Sequence, residues 1–317
     1  MVSSGKLKGM NIEVLLTEAE IAHEFTECIV ARDLPEKFFY WFPLSVRAWC
    51  DFSHDPAQAN LRSAWGMLGE KAREITAGFE RKVPIVSFGA GDGSKDRLLI
   101  QAIKAAGHDV QYFPVDSSQA LLEMACSAAE DDDVEALGIK ADISSPMHLV
   151  LASDACESPK LFLMAGNSLG GFDPLDMIKH LAECMHTNDR LLIDGEIYHE
   201  NALAASENPG FRRFAFAPLA SVGVTEEDGQ LRFEHKQDER HSGLHMITKH
   251  FHAHRDVRVS VSGSEIAVAR GERIFMNFRY LYTPEAFRWL LIEHAGLRLL
   301  HENVSADGKF ITVVCAK

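Results

Sequence analysis

Three glycines alternate in the segment Gly89-Ala-Gly-Asp-Gly93, directly after the apolar run 83–88. The run is typical of a buried strand, and a helical pattern follows from Lys95 to Ala106. Glycine in a turn between a strand and a helix lets the backbone take positive φ and approach a ligand closely. The spacing therefore predicts a turn that holds a nucleoside cofactor.

Acidic side chains follow the next two predicted strands. Asp116 ends the strand 110–115, where its carboxylate can accept hydrogen bonds from both ribose hydroxyls of a nucleoside. Asp142 follows a weaker strand at 134–139 and suits the exocyclic amine of an adenine, while the backbone N–H of Ile143 suits a ring nitrogen. Because these groups stand at successive strand ends, we expect them to form one site with the glycine turn.

Two cofactors suit this geometry, NAD and S-adenosylmethionine. The dinucleotide fingerprint G-x-G-x-x-G requires its third glycine where Ser94 stands, whereas the third glycine here comes one residue earlier, at Gly93. The chain also ends in a hairpin-like pattern rather than in a second mononucleotide-binding half. Both differences favour S-adenosylmethionine.

Strands and helices alternate through the middle of the chain. Apolar runs at 161–164 and 191–194 predict two further strands, with a helix between them at 174–185. This alternation predicts an α/β fold with right-handed βαβ units and a parallel sheet. After Glu196 the pattern changes, and alternating strand patterns are predicted over 211–276.

A helix is predicted again at 284–295, and a final strand at 310–315. We therefore expect an antiparallel, β-rich piece inserted before the last elements of a parallel-sheet domain. The N-terminal part is rich in helix formers and aromatic residues. The predicted units are an N-terminal helical lid or cap at 11–80, a sheet core at 81–195 and 279–317, and an inserted β-rich substrate domain at 196–278.

The composition excludes some classes of partner. The formal net charge of −14 argues against duplex nucleic acid and against an anionic membrane, since both require a basic face. The six cysteines are scattered without a CxxC pair, which is typical of reduced, buried thiols. The N-terminus lacks the apolar core of a signal peptide, and we expect a cytoplasmic protein.

Several short motifs occur in the order of a known family: Lys37-Phe-Phe-Tyr40, Gly89-x-Gly-x-x-x-Lys95, Val115-Asp116, Gly166-Asn-Ser-Leu-Gly170 with Phe172, Leu191-Leu-Ile-Asp194, Gly271-Glu272 and Tyr282. Together they resemble the histidine-specific N-α-methyltransferase family, which includes the ergothioneine-pathway enzyme and fungal tryptophan-derivative N-methyltransferases. The resemblance spans residues 34–317. It implies a class I S-adenosylmethionine-dependent methyltransferase, an α/β Rossmann-like sheet with a β-rich substrate domain inserted after the fifth strand.

The resemblance and the residue pattern together predict the site residues. The cofactor would contact Gly89, Ala90, Gly91, Lys95, Asp116, Ser117, Asp142, Ile143 and Ala165. Tyr40 would lie near the reactive end of the cofactor or the substrate amine, and Tyr40 and Asn167 are the candidate catalytic residues that orient the nucleophile. Tyr280 and Tyr282 are alternatives for that role, or else part of the core.

The substrate-contacting part of the family pattern is not kept. Gly171 stands where the family has an asparagine for the amino-acid head group, and Asn277 and Arg279 stand where it has a glutamate and a serine for the imidazole. Ser87 replaces an acid two residues before the first glycine. Histidine is therefore not the expected substrate. A different substrate is predicted to contact Tyr40, Gly171, Asn277 and Arg279, where Arg279 either pairs with a carboxylate or forms a salt bridge at a domain edge.

The leading hypothesis is an N-methyltransferase acting on a small amino acid or amine in specialised metabolism. Two alternatives stay open: cyclisation of S-adenosylmethionine with release of methylthioadenosine, which the altered Ser87 keeps possible, and a non-catalytic binding module. Methyl transfer needs no metal. His250, His252 and His254 share one strand face, but imidazoles along one strand diverge too far for one ion without a partner strand, so no metal is predicted.

Overall fold

The N-terminal segment is mainly helical where the structure describes it, apart from a short strand at Ile12–Val14. The structure is a computed structural model, and it describes residues 11–55, 65, 71–261 and 263–317. Parts of the predicted lid, at 56–64 and 66–70, therefore lie outside the described residues. The helices of this segment are α1 (Glu18–Ala31), α2 (Pro43–Ser53) and α3 (Ala72–Ile75), and a 3-10 turn at Glu36–Phe39 joins the first two.

A central sheet of nine strands forms among the described residues. Its strands are β1 (Ile12–Val14), β2 (Lys82–Phe88), β3 (Asp109–Asp116), β4 (Glu135–Ala136), β5 (Gly138–Lys140), β6 (Leu161–Met164), β7 (Arg190–Glu196), β13 (Arg298–Val304) and β14 (Phe310–Ala316). Their order is β1-β5-β3-β2-β6-β7-β14-β13, with β4 beside β3. Neighbours are parallel up to β7, whereas β14 is antiparallel to both β7 and β13. The predicted α/β class, a parallel sheet that closes with a hairpin, is confirmed.

The direction of the strand order reverses at β2. This strand pairs with β3 on one side and with β6 on the other, both parallel. The connections that leave β2 and β6 therefore run to opposite sides, and the carboxyl ends of the two strands border a crevice. Ligands of open α/β sheets bind in such a crevice, so the topology alone marks this edge as the place for a site.

Helices cover both faces of the sheet, namely α4 (Ser94–Ala105), α5 (Gln119–Asp131), α6 (Pro146–Ser153) and α7 (Pro174–Cys184). One face buries Phe88 and Phe162, whose rings stack with centroids 5.7 Å apart, and the other face buries Ile85 and Leu163. Successive residues of a strand point to opposite faces. A strand covered on both faces is therefore apolar along most of its length, as the run 83–88 is except at Ser87.

The segment after β7 forms a separate antiparallel layer. It contains α8 (Ala202–Ala205), α9 (Pro209–Ser221), β8 (Gly229–Gln237), β9 (Leu244–Ala253), β10 (Val257–Val261), β11 (Ser264–Val268) and β12 (Arg273–Tyr282). The strands β12, β9 and β8 form one antiparallel sheet, and β10 pairs with β11 in a hairpin.

The predicted start of the strand patterns at residue 211 is wrong, because α9 occupies 209–221 as a helix. The side chain of Asn208 caps its first turn, and Pro209 stands at the first helical position, where proline is favoured. Phe211, Phe214 and Pro218 are buried at helical spacing. Aromatic residues that suggested strand alternation thus form one face of a helix.

The strand β12 runs on to Tyr282, where it pairs with Leu244, so the predicted return to the core at residue 279 falls inside this strand. The chain then enters α10 (Pro284–Trp289), which continues as a π-helical turn at Leu290–His294. These two elements confirm the helix predicted at 284–295.

The N-terminal segment and the layer after β7 share one apolar core. Phe25 and Phe38 of the N-terminal segment are fully buried in the same cluster as Phe251 of β9. The rings of Phe39 and Phe214 lie 5.9 Å apart in this cluster. Two predicted units that are far apart in sequence therefore pack against each other.

Candidate functional site

A cavity of about 690 Å³ lies at the carboxyl edge of the sheet, and we call it the sheet-edge cavity. It is lined by eight of the nine predicted cofactor residues: Gly89, Gly91, Lys95, Asp116, Ser117, Asp142, Ile143 and Ala165. The ninth, Ala90, is buried, and its backbone N–H donates to the carbonyl of Val115 at 3.2 Å. The structure therefore brings together residues that were predicted from four separate strand ends.

The glycine turn needs its glycines for two reasons. Gly89, Gly91 and Gly93 all have positive φ, at +70°, +58° and +73°. A Cβ on Gly91 would lie 2.8 Å from Cη2 of Trp49, which extends from α2 onto the turn. The turn is thus shaped both by its own backbone and by the close approach of the N-terminal segment.

Asp116 joins this turn to the end of β3. One carboxylate oxygen accepts from the backbone N–H of Gly91 at 3.0 Å, and the other accepts from that of Ser118 at 2.9 Å. Burial raises the pKa of Asp116, although these backbone donors oppose the shift. Each oxygen of a carboxylate can accept a further hydrogen bond, so the side chain can hold the turn and still bind hydroxyls in the cavity.

Asp142 is paired with a cation from the 3-10 turn. Nζ of Lys37 lies 2.5 Å from the carboxylate, and Ser144 donates to its other oxygen from both its backbone N–H and its hydroxyl. Burial by itself would raise the pKa of Asp142, but the ammonium of Lys37 outweighs it and lowers the pKa. The predicted adenine-binding carboxylate is therefore ionised and fixed in place.

The loop after β6 is positioned by a buried carboxylate, Asp194 of β7. Asp194 accepts from the backbone N–H groups of Gly166 and Asn167 at 2.8 and 2.6 Å, and from the indole of Trp65 at 2.5 Å. The side-chain carbonyl of Asn167 accepts from the backbone N–H of Glu196 at 3.0 Å. Asn167, a predicted catalytic residue, lines the cavity while its side chain ties the loop to β7.

A second cavity, of about 720 Å³, adjoins the first, and we call it the aromatic cavity. Both cavities are lined by Glu36, Tyr40, Trp49, Gly166 and Asn167. The remaining lining of the aromatic cavity includes five phenylalanines and three charged residues: Phe52, Phe211, Phe214, Phe278, Phe310, Glu196, Lys249 and Arg279.

Glu36 stands at the junction of the two cavities. The hydroxyl of Tyr40 donates to one of its carboxylate oxygens at 2.8 Å, and the side-chain amide of Asn277 donates to the other. Burial raises the pKa of Tyr40 well above its usual value, so this hydroxyl stays neutral and donates. A Cβ on Gly171 would lie 2.8 Å from Cγ of Glu36, so the small Gly171 makes room for this side chain.

Sequence reasoning missed Glu36. It lies one residue before the motif that begins at Lys37, in a segment where a single acid looks like an ordinary surface residue. The one signal for Glu36 is indirect: Gly171 and Asn277, two predicted substrate residues, contact its side chain in the structure. Gly171 and Asn277 surround Glu36, whereas Arg279, the third predicted substrate residue, lies elsewhere in the aromatic cavity.

Arg279 and Lys249 are the cations of the aromatic cavity. Nη1 of Arg279 lies 3.0 Å from the carboxylate of Glu196, and Nη2 donates to the hydroxyl of Ser206 at 3.1 Å. Lys249 is buried, with its ammonium 4.1 Å from the ring centroid of Phe39. Burial lowers the pKa of Lys249. Sequence reasoning missed this lysine, because it sits in a strand pattern dominated by histidines.

Other predicted candidates lie outside the two cavities. Tyr280 donates to Asp238 at 2.7 Å and Tyr282 is fully buried in the core, so both tyrosines pack rather than face a ligand. Ser87 is fully buried inside β2. Within the described part of the chain, no group of three or more His, Cys, Asp or Glu residues could hold a metal ion.

The strand order, the glycine turn and the two acids define the class I S-adenosylmethionine-dependent methyltransferase fold. The profile of the histidine-specific, S-adenosylmethionine-dependent methyltransferase family matches residues 18–317, and the chain belongs to this family. This membership confirms the family, the enzyme class and the cofactor predicted from the sequence.

Two curated proteins are similar to this chain over part of its length. Ergothioneine biosynthesis protein 1 of Neurospora crassa is 24% identical over 51% of this chain and 18% of its own length. The 4-dimethylallyltryptophan N-methyltransferase easF of Epichloe festucae var. lolii is 24% identical over 44% of this chain and 42% of its own length. This chain thus spans less than half the length of either relative.

Among solved structures, an S-adenosylmethionine-dependent methyltransferase of Clostridium acetobutylicum is similar, with a TM-score of 0.47 and 14% identity over 84% of this chain and 97% of that one. The glycopeptide N-methyltransferase MtfA has a TM-score of 0.37 and 13% identity over 78% of this chain and 93% of that one.

In the described residues, no helix combines the length and apolar character needed to cross a bilayer.

Proposed function

We propose that this chain transfers a methyl group from S-adenosylmethionine to the nitrogen of a small amino acid or amine other than histidine. The observation that carries the proposal is the junction of the two cavities, where a carboxylate, Glu36, and a neutral phenol, Tyr40, line both. An acceptor needs a cavity of its own next to that of the cofactor, with polar groups where the two cavities meet. The Epichloe relative is by name a 4-dimethylallyltryptophan N-methyltransferase, which agrees with a nitrogen acceptor.

The sheet-edge cavity suits S-adenosylmethionine. Asp116 would bind the ribose hydroxyls, and Asp142 with the backbone of Ile143 would bind the adenine. Lys95 lines the same cavity next to Gly166, and it would pair with the cofactor's carboxylate. The donors and acceptors that the cofactor needs are therefore present on one edge of the sheet.

Methyl transfer needs alignment more than strong acid or base. S-adenosylmethionine supplies a methyl group on a sulfonium, and the amine lone pair forms the new N–C bond as the C–S bond breaks with its electrons left on sulfur. Glu36 would accept a hydrogen bond from the attacking nitrogen and take up the proton that this nitrogen loses. Tyr40 holds the carboxylate in place, and the phenylalanines exclude water from the acceptor.

The proposal is tested by incubating the protein with S-adenosylmethionine, alone and with a panel of amino acids and amines, and identifying products by mass. We expect S-adenosylhomocysteine and an N-methylated product only when an acceptor is present. Methylthioadenosine formed without an acceptor would establish cyclisation instead, and binding without any product would establish a binding module. Ser87, on which the cyclisation alternative rested, is buried inside β2, so the geometry favours methyl transfer.

The role of Glu36 has its own test in the same assay. In Glu36→Gln we expect kcat to fall by about 100-fold, the usual size of a general-base contribution, while S-adenosylhomocysteine binds as before. Tyr40→Phe is the matched variant, because it removes only the hydroxyl that orients Glu36. Its kcat should fall by a smaller factor than that of Glu36→Gln. Equal kcat in Glu36→Gln and the wild type would contradict the assignment.

A further inference from the structure

One wall of the junction between the two cavities is an indole ring. Trp49 of α2 lines both the sheet-edge cavity and the aromatic cavity. It lies against the glycine turn, since a Cβ on Gly91 would come within 2.8 Å of its Cη2 and within 3.0 Å of its Cζ2. The turn and the junction therefore share one aromatic side chain, which reaches them from the N-terminal segment.

The indole of Trp49 is placed where it can attract a positive charge. The ammonium of Lys95 lies over this ring, 5.8 Å from its centroid. The ring of Tyr40, which also lines both cavities, meets the indole in a T-shaped arrangement with the centroids 6.2 Å apart. The face of an aromatic ring carries negative potential and attracts cations within about 6 Å, more strongly where water is excluded. The junction thus offers aromatic rings to a cation.

A carboxylate adds negative charge at the same junction. Glu36 accepts hydrogen bonds from two neutral groups, the hydroxyl of Tyr40 and the side-chain amide of Asn277, and neither donor cancels its charge. The nearest ammonium that the structure describes is that of Lys249, at 3.9 Å, which is beyond hydrogen-bonding range. Glu36 can therefore attract a positive group that is bound between the cavities.

The cofactor and its product differ in charge at one atom. The sulfonium of S-adenosylmethionine is positive, whereas the thioether of S-adenosylhomocysteine is neutral, and the amino and carboxylate groups are the same in both. The lining of the sheet-edge cavity includes three carboxylates and two ammonium groups, which leave one net negative charge: Glu36, Asp116, Asp142, Lys37 and Lys95. This lining complements the net positive charge of S-adenosylmethionine better than it complements the neutral product.

We propose that Trp49 and Glu36 recognise the positive charge of the sulfonium, so that the protein binds S-adenosylmethionine more tightly than S-adenosylhomocysteine and releases this product after transfer. The sulfonium would lie at the junction, because its methyl group has to face an acceptor in the aromatic cavity. A cation held by an aromatic face and a carboxylate is bound by its charge rather than by its shape. This inference rests on the proposed methyl transfer to nitrogen.

The reaction itself removes the attraction. The amine forms the new N–C bond, the C–S bond breaks with its electrons left on sulfur, and the positive charge passes to the nitrogen, whose proton goes to Glu36. Sulfur then carries no charge for the indole of Trp49 to attract, and Glu36 is neutral. Both changes weaken the binding of S-adenosylhomocysteine relative to that of S-adenosylmethionine, so fresh cofactor displaces the product.

The test compares the affinities of three ligands by calorimetry, without an acceptor. They are S-adenosylmethionine, S-adenosylhomocysteine and sinefungin, which carries a protonated amine in place of the methylated sulfur and so separates charge from the methyl group. We expect the wild type to bind both cationic ligands about tenfold more tightly than S-adenosylhomocysteine, the size of a desolvated cation–π contact. This preference should be lost in Trp49→Leu and partly kept in Trp49→Phe. Glu36→Gln should reduce it while S-adenosylhomocysteine binds as before.

A matched control is Trp41→Leu, which should leave the preference unchanged. Trp41 packs against Phe42, with the ring centroids 4.4 Å apart, and is not among the residues that line the two cavities. A general loss of packing would weaken all three ligands by one factor, so the ratio of affinities reports recognition of charge. The comparison of ligands in the wild type needs no variant at all.

Three results would overturn the inference: equal affinities for the three ligands in the wild type, sinefungin bound as weakly as S-adenosylhomocysteine, or an unchanged ratio in Trp49→Leu or Glu36→Gln. Formation of an N-methylated product by a protein without the preference would overturn it while leaving the proposed function standing. A preference for both cations with no product from any acceptor would instead contradict the proposed function.

Discussion

The sheet-edge cavity and the aromatic cavity meet at Glu36 and Tyr40, yet they are built differently. In the sheet-edge cavity, the key groups follow consecutive strands, and backbone N–H groups hold the carboxylates of Asp116 and Asp194. In the aromatic cavity, the charged groups come from segments far apart in sequence and contact other side chains. A cofactor bound in the sheet-edge cavity would therefore be held by backbone geometry, whereas an acceptor bound in the aromatic cavity would be held by side chains.

The two regions should also differ in their response to substitution. A change in the glycine turn alters backbone geometry that the cofactor would contact directly, so we expect it to affect every later step. A change to a charged side chain of the aromatic cavity should affect the acceptor and leave the cofactor bound. Three predictions test this difference.

The largest effect is expected for Gly91→Val. The new side chain would need a left-handed backbone at a φ of +58° and would occupy the place of the Trp49 ring. We expect the affinity for S-adenosylhomocysteine, measured by calorimetry, to fall on the order of 1000-fold, which corresponds to about 4 kcal/mol. Gly107→Val is the control, because Gly107 also has positive φ, at +99°, but a Cβ there meets no atom within 4 Å. Similar affinities in the two variants would contradict the role of the turn.

A smaller effect, on stability, is expected for Asp96→Asn beneath the glycine turn. Burial raises the pKa of Asp96 from 3.8 to about 6, although Tyr112 donates to it at 2.6 Å. Folded Asp96 thus keeps its proton up to about pH 6, while the unfolded chain loses it near pH 3.8. This residue therefore makes the free energy of unfolding fall as the pH rises through that window.

Urea denaturation of the wild type and Asp96→Asn at several pH values measures this contribution. The stability of the variant relative to the wild type should increase by up to about 3 kcal/mol between pH 4 and pH 7, since one pKa unit corresponds to about 1.4 kcal/mol. Parallel pH profiles for the two proteins would show that Asp96 ionises in the folded state at its ordinary pKa.

The smallest effect is expected for Arg279→Met in the aromatic cavity. Loss of a hydrogen bond to a charged group should lower kcat/KM for the acceptor about tenfold, with unchanged affinity for S-adenosylhomocysteine. Arg273→Met, on the exposed end of the same strand, is the control and should change neither quantity. If Arg279→Met weakened cofactor binding as much as it lowered kcat/KM for the acceptor, the two cavities would not act independently.

Sequence reasoning predicted the sheet and the residues that line the sheet-edge cavity, for a physical reason. The glycine turn, Asp116 and Asp142 each follow a short apolar strand, and parallel strands place such residues at one edge. The segment 211–221 was predicted as strand because its aromatic residues fit both alternation and a helical face. The cap of Asn208 and the buried spacing of Phe211 and Phe214 resolve that ambiguity only in the folded chain.

The sequence by itself determined the fold class, the family and the sheet edge at which we propose that the cofactor binds, because these depend on local patterns repeated at strand ends. Only the tertiary structure decided the aromatic cavity, in which we propose that the acceptor binds. Glu36 and Lys249 come from a 3-10 turn and a distant strand, and they meet because the N-terminal segment and the layer after β7 bury one common core. Packing of that kind depends on the whole chain, so the spacing of residues within either segment does not predict it.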